Sequence, residues 1–293
     1  MKLTKIEFYV ATQTFTFPIF GSSPFDKYIL KKVEGLDPPD SNLFIQPVSG
    51  NRAIYQGRRP ENRQLVVTFE LNPDYSLGET VSDLRQELYK TLTMTNSDDF
   101  PLEIRFFYYP DDNPSNYVYT TGHAKKIVAS PFSQSNEVQL TIDCLSPYLS
   151  GHEVTLDLGT LQTTPGYLLF DKIGTAPSEF QCVIKRINAL SGLRCTLNDV
   201  RGQGSNHKAK LDMQPYLPSQ LILQNDLITI VSYNGQRTIS LKRGTSDAVN
   251  FLYTLTSASN WFSLMSNPIE LQIEPFGEYE FMSFSYWPQY WGI

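Results

Sequence analysis

Cysteine and histidine are scarce in these 293 residues, with three of each. Cys144, Cys182 and Cys195 form no CxxC pair and their number is odd. A disulfide-stapled secreted domain is therefore excluded, and buried free thiols are expected. His123, His152 and His207 show no HExxH spacing, which excludes the helix-borne zinc hydrolase motif. There is no GxSxG elbow and no Walker A loop. Gly202-Gln203-Gly204 lacks a third glycine, so Arg201–Lys208 reads as an exposed loop rather than a phosphate cradle. No apolar run approaches the length that spans a bilayer. The opening MKLTKIEFYVATQTFTF alternates apolar with polar residues and has no uninterrupted signal-peptide core. Positive charge is also short: 24 basic against 30 acidic residues give a net charge of −6. Neither half carries a basic excess, so electrostatic capture of nucleic acid is disfavoured. No catalytic constellation, cofactor or metal is expected from these residues.

Aromatics are abundant, at 13% of residues with 18 Phe and 17 Tyr. Side chains this large bury enough surface to offset chain entropy, which excludes a disordered chain. Strand signals dominate. Leu102, Ile104, Phe106 and Tyr108 alternate with Glu103, Arg105, Phe107 and Tyr109. Val138, Leu140, Ile142 and Cys144 alternate with Gln139, Thr141 and Asp143. Period two over such lengths means half-buried strands. Further strands are expected at Lys5–Val10, Gln64–Leu71, Tyr117–Thr120, Lys125–Ala129, Phe180–Ile187 and Leu193–Leu197. One helix interrupts them. Thr80 followed by Asp83 is a capping-box arrangement, and Val81, Leu84, Leu88 and Leu92 fall on one stripe. Asp83 and Glu87 share a flank of this helix and read as a solvated acidic face, with Asn96–Asp99 ending the element.

Asn234-Gly235 is a type I′ turn pair inside LITIVSYNGQRTISL. With those two residues as the loop, Ile228 faces Leu241 and Ile230 faces Ile239. All four point to one side, which predicts a core hairpin of self-consistent register. The C-terminal aromatics Phe276, Tyr279, Phe281, Phe284, Tyr286, Trp287, Tyr290 and Trp291 read as a last strand covered on both faces, and Trp261 reads as core. Residues 35–64 contain Gly35, Pro38, Pro39, Gly50, Gly57 and Pro60 together with four arginines, and read as a long irregular segment. A loop of that length inside a compact domain is usually functional or interacting. Ser146–Gly151 follows a strong strand and carries turn formers, so a domain break is placed there.

In this order the elements resemble the distal tail proteins of long non-contractile-tailed bacteriophages. A strand leads to Val33-Glu34-Gly35-Leu36-Asp37-Pro38. An arm, Gly50–Gly57, precedes the arginine-led strand Arg63–Phe69 and the capped helix Val81–Leu92. Asp143-Cys144-Leu145-Ser146-Pro147-Tyr148 looks like the exit from that family's first domain. Leu168–Ser178 looks like its strand ending in asparagine-x-glycine-threonine, with Asp171 in place of Asn. Ser257–Leu264 leads into Asn267-Pro268-Ile269-Glu270-Leu271, with Ser266 where the family usually has glycine.

The resemblance implies a mainly β chain. Residues 1–150 would be a ring-forming, tail-tube-like β-sandwich or barrel with one α-helix. Residues 151–293 would be a galectin-like jelly-roll β-sandwich for docking, with 275–293 left open to pack back on the first domain. It implies a structural virion protein at the distal end of the tail, made in the host cytoplasm. It also implies a homo-hexamer that connects the tail tube protein to the tail-tip hub and to receptor-binding or fibre proteins. DNA would pass through without specific binding, and nothing would insert in a membrane. Arg52, Tyr55, Arg58, Arg59 and Arg63 would be intersubunit arm residues. The alternative reading is a carbohydrate-binding module in the second domain. The galectin sugar motif needs His, Asn and Arg close along one strand, and neither His152-Glu153-Val154 nor His207-Lys208-Ala209 matches it.

Overall fold

A computed structural model describes residues 2–10, 13–18, 26–48, 52–94, 102–109, 117–129, 136–162, 164–188, 194–201, 210–215, 221–233 and 236–292. Asn96–Asp99, the loop from Gly202 to Lys208 and the Asn234-Gly235 turn lie outside the described residues, as do the side chains of Tyr108 and Tyr109. The chain is mainly β. It divides into two units, Met1–Gly151 with Tyr290–Ile293, and His152–Gln289.

The first unit contains β1 (Lys2–Val10), β2 (Gln13–Pro18), β3 (Tyr28–Glu34), β4 (Ser41–Val48), β5 (Arg52–Pro60), β6 (Gln64–Leu71), α1 (Val81–Met94), β7 (Leu102–Tyr109), β8 (Tyr117–Val128), β9 (Glu137–Cys144) and β10 (Leu149–Ser150). Its main sheet is antiparallel and runs β2-β1-β7-β8-β9-β6-β3. Alternation decides which face turns inward. Ile6 and Phe8 of β1, Ile104 and Phe106 of β7, and Leu65, Val67, Phe69 and Leu71 of β6 are all buried in one core. Phe17 of β2 meets Tyr28 of β3 with ring centroids 5.2 Å apart, so the two ends of the strand path share that core. Tyr117–Thr120 and Lys125–Ala129, expected as separate strands, belong largely to the single strand β8. It continues through Gly122 and absorbs a bulge between Ala124 and Lys126.

α1 closes the core as its stripe requires, with Leu84, Leu88 and Leu92 buried. Its first turn is a reciprocal cap. Asp83 N–H donates to Thr80 Oγ1 at 3.2 Å, and Thr80 N–H donates to Asp83 Oδ2 at 2.9 Å. The Thr80 hydroxyl also donates to Asp83 Oδ2 at 2.7 Å, and this bond, with the lesser one from Thr80 N–H, holds the Asp83 carboxyl below the usual range.

The second unit contains β11 (Val154–Thr155), α2 (Leu158–Leu161), β12 (Tyr167–Phe170), β13 (Ala176–Arg186), β14 (Cys195–Asp199), β15 (Lys210–Met213), β16 (Leu227–Tyr233), β17 (Gln236–Lys242), β18 (Val249–Asn250), β19 (Ile269–Glu274) and β20 (Tyr279–Tyr290). One antiparallel sheet runs β18-β17-β16-β13-β20-β11 and the other β12-β19-β14-β15. Their inward residues make one core, in which Phe180, Cys182 and Ile184 meet Leu197, Leu271 and Ile273. β16 pairs Ile228 with Leu241 and Ile230 with Ile239 of β17, and all four are buried. Tyr279, Phe281, Phe284 and Tyr286 of β20 enter the same core, while Trp287 stacks on Tyr233 at 3.8 Å. Only Tyr290–Ile293 return to the first unit.

Candidate functional site: the hairpin and its root

Within residues 35–64, expected as irregular, Ser41–Val48 and Arg52–Pro60 are strands. β4 and β5 form a two-stranded antiparallel sheet of their own, with Ser41 opposite Pro60, Asn42 opposite Arg59 and Val48 opposite Arg52. Pro47 and Pro60 disguise the strands in the sequence. They are tolerated because each strand has one unpaired edge, where a missing N–H breaks no ladder. Leu43 and Phe44 are 58% and 51% exposed. They are neighbours on one strand and so point to opposite faces. Both faces of the hairpin near its base are therefore uncovered in the single chain.

The root of the hairpin is fastened. Glu61 N–H donates to Asp40 carbonyl at 2.8 Å, closing the base. Gly35 has φ of 88°, and a Cβ there would lie 2.0 Å from the Gln64 carbonyl oxygen, so the approach of chain to β6 requires glycine. Arg63 does the rest. Its guanidinium donates to the carbonyls of Gly35, Asp37 at 2.8 Å, Pro147 at 3.3 Å and Trp291. A planar donor fork suits such converging acceptors.

This corrects the sequence reading of Arg63. The side chain is only 2% exposed and its guanidinium donates within the subunit, so it anchors the root of the arm. Arg59 stands exposed on β5. The backbones of Arg52, Tyr55 and Arg58 lie on β5, and their side chains lie outside the described residues. Asp83 and Glu87 are both exposed on α1.

Beyond the first turn of α1 the sequence reading missed a second surface feature. Residues 74–78 form a tight turn that displays Tyr75 and Leu77 at 70% and 77% exposure. The signal was present in Asp74 as cap and Gly78 as left-handed exit, but the segment is too short to show periodicity.

Several charges of the second unit are committed to its structure. Asp212 is held by Arg194 through two bonds of 2.8 and 3.0 Å and by Thr196 at 3.0 Å. Buried Arg186 donates to Tyr279 Oη at 2.8 Å and pairs with Glu278 at 2.8 Å. Buried Lys172 donates to the Ala176 carbonyl at 2.7 Å, and desolvation lowers its pKa. An open cleft is lined by Leu241, Arg243, Asp247, Val249, Phe251 and Tyr253. Its arginine is bound to Asp226 at 2.8 Å. Trp261 is half-buried against the core. Among the described residues no group of His, Cys, Asp and Glu is arranged to hold a metal ion, and no helix is long and apolar enough to cross a membrane.

No protein-family model and no curated protein matches the chain. Solved structures do. The crystal structure of the Dit protein of phage SPP1, described as a hub of the adsorption apparatus of phages infecting Gram-positive bacteria, superimposes with a TM-score of 0.62. The match covers 97% of this chain and 98% of that one at 14% identity. The chain has the Dit fold. Phage p2 baseplate structures, solved with strontium and with calcium, match at TM-scores of 0.41 and 0.42 and identities of 10% and 11%. The Dit fold thus spans both units described above, from β1 to β20.

Proposed function

We propose that the protein is a structural component of a phage tail, a ring-forming hub at its distal end. The observation that carries this reading is the end-to-end match to SPP1 Dit, which covers 97% of this chain and 98% of that one. The first unit builds a homo-hexameric ring that continues the tube, and the β4–β5 hairpin reaches the neighbouring subunit. The second unit is a galectin-like sandwich that projects outward to dock tail-tip, receptor-binding or fibre proteins. The tail tube protein stacks above, and DNA passes through the ring without specific contact.

Physical support comes from the hairpin. Two strands alone are marginally stable in water, and a further strand or a packed surface completes them. A root fastened by Arg63 and a hairpin base that exposes Leu43 and Phe44 suit a contact made between copies. Head-to-tail contacts of this type close into rings when the rotation permits. Light scattering on the purified chain tests the reading. A particle six times the 33.4 kDa of one chain is expected. A monomer at all concentrations, with no ring on adding tail-tube or tip proteins, would overturn it.

A further inference from the structure

We propose that the turn at residues 74–78 is a docking knob, and that its occupant is the β4–β5 hairpin of a second copy of this chain. The inference rests on the ring reading and names the surface that receives the hairpin.

The turn is over-determined for a surface loop. Asp74 Oδ1 accepts from Ser76 N–H at 2.9 Å, and Leu77 N–H donates to the Asp74 carbonyl at 3.1 Å. Gly78 N–H returns to the Tyr75 carbonyl at 3.2 Å. Glu79 Oε2 accepts from Asp74 N–H at 3.2 Å, while its Oε1 pairs with Lys27 at 2.6 Å. Asn72 ties the same corner to Lys27 and Asp26 through their carbonyls. All this fixes a turn whose Tyr75 and Leu77 side chains point into water. Ordering a loop on binding is costly, so a pre-ordered apolar pair is suited to anchoring a partner.

Three observations select a second copy as that partner. First, the base of the hairpin presents an unmatched apolar side chain on each face, Phe44 on one and Leu43 on the other. Second, the charges complement. The knob carries the carboxylate of Asp74, with Glu79 beside it already paired to Lys27, whereas Arg59 stands exposed on β5. Third, the two features flank opposite ends of β6. The hairpin enters that strand at Gln64 and the knob leaves it after Leu71, so at ~3.3 Å per residue they are separated by roughly 23 Å of strand. Patches at opposite ends of one element match between copies and generate a head-to-tail contact.

The test uses the full chain. Tyr75→Ser with Leu77→Ser changes two exposed side chains, so its melting temperature should equal that of the wild type. Its ring should dissociate at protein concentrations at least tenfold higher than the wild-type ring. A variant ring of unchanged stability overturns the knob and leaves the ring reading intact, whereas a wild-type chain that never assembles overturns both. A second measurement does not depend on assembly strength. Leu77→Cys chains are mixed with Phe44→Cys chains and treated with a short bismaleimide. A covalent dimer containing one of each is expected, and its absence from mixtures that form rings overturns the knob.

Discussion

Arg63 and Trp291 stand 228 residues apart in sequence, yet the guanidinium of one donates to the carbonyl of the other. The same side chain holds Gly35, Asp37 and Pro147, so it gathers three stretches of the first unit at the hairpin root. Trp291 is further fixed against Tyr148 at 4.9 Å between ring centroids. Arg63→Met would keep the stem and remove the fork, leaving four carbonyls without this donor. The cost expected is on the order of 3 kcal/mol, read as a fall in the urea midpoint of the first unit. An unchanged midpoint would show that water replaces the arginine without loss.

Replacing residues 41–60 by a short linker between Asp40 and Glu61 keeps the base, whose backbone groups already bond at 2.8 Å. Among the described residues, none from the hairpin belongs to the core of the unit. A folded chain of unchanged circular dichroism that remains monomeric is expected. Rings of normal stability from this variant would show that the hairpin contributes no contact between copies.

Leu88 sits at 1% exposure on the buried stripe of α1. Leu88→Ala should lower stability by about 2–5 kcal/mol, the range for a full side chain removed from a packed core. Gln86→Ala on the exposed face is the matched control and should change little. Equal midpoints for the two would mean that the helix does not depend on its stripe.

All three cysteines are free and buried. Burial pushes the Cys144 thiol up to about 11 and drives Cys182 and Cys195 higher. The thiolate is the reactive species, so these groups should be inert at neutral pH. Native protein should give no colour with Ellman's reagent, and urea should release three equivalents. Rapid labelling of the native chain would place a thiol on an open surface.

How much of this was legible in the sequence depended on whether the deciding contact was local. The α1 cap was readable because Thr80 and Asp83 are three residues apart. The pairing of Ile230 with Ile239 followed from a two-residue loop. β8 was expected as two strands, Tyr117–Thr120 and Lys125–Ala129, with Gly122 in the gap between them. The role of Gly122 is close approach, since a Cβ there would meet the Asp143 carbonyl oxygen at 2.6 Å. The role of Arg63 was not readable at all. Its acceptors come from residues 35, 37, 147 and 291, and carbonyl oxygens leave no trace in residue identity. The hairpin was hidden by prolines that only an unpaired strand edge tolerates.

Acid should unlock the second unit through Asp212. Its side chain is only 4% exposed. Burial alone would raise its pKa, but hydrogen bonds from Arg194 and Thr196 and the arginine's charge outweigh that and hold it below the ordinary value. The folded pKa therefore lies below the unfolded one, which is about 4. For such a group the stabilisation is fully present above the unfolded pKa and is lost as pH falls through the folded value. Asp212→Asn keeps the size and removes the titration. At pH 7 the variant should be less stable, by about 1–3 kcal/mol for a bond to a charged group. As pH falls below 4 the wild type should lose stability more steeply than the variant, so that their urea midpoints converge. Parallel midpoints from neutral to acid pH would show that the carboxylate keeps the same proton affinity in the folded and unfolded chain, and that Arg194 gains nothing from its charge.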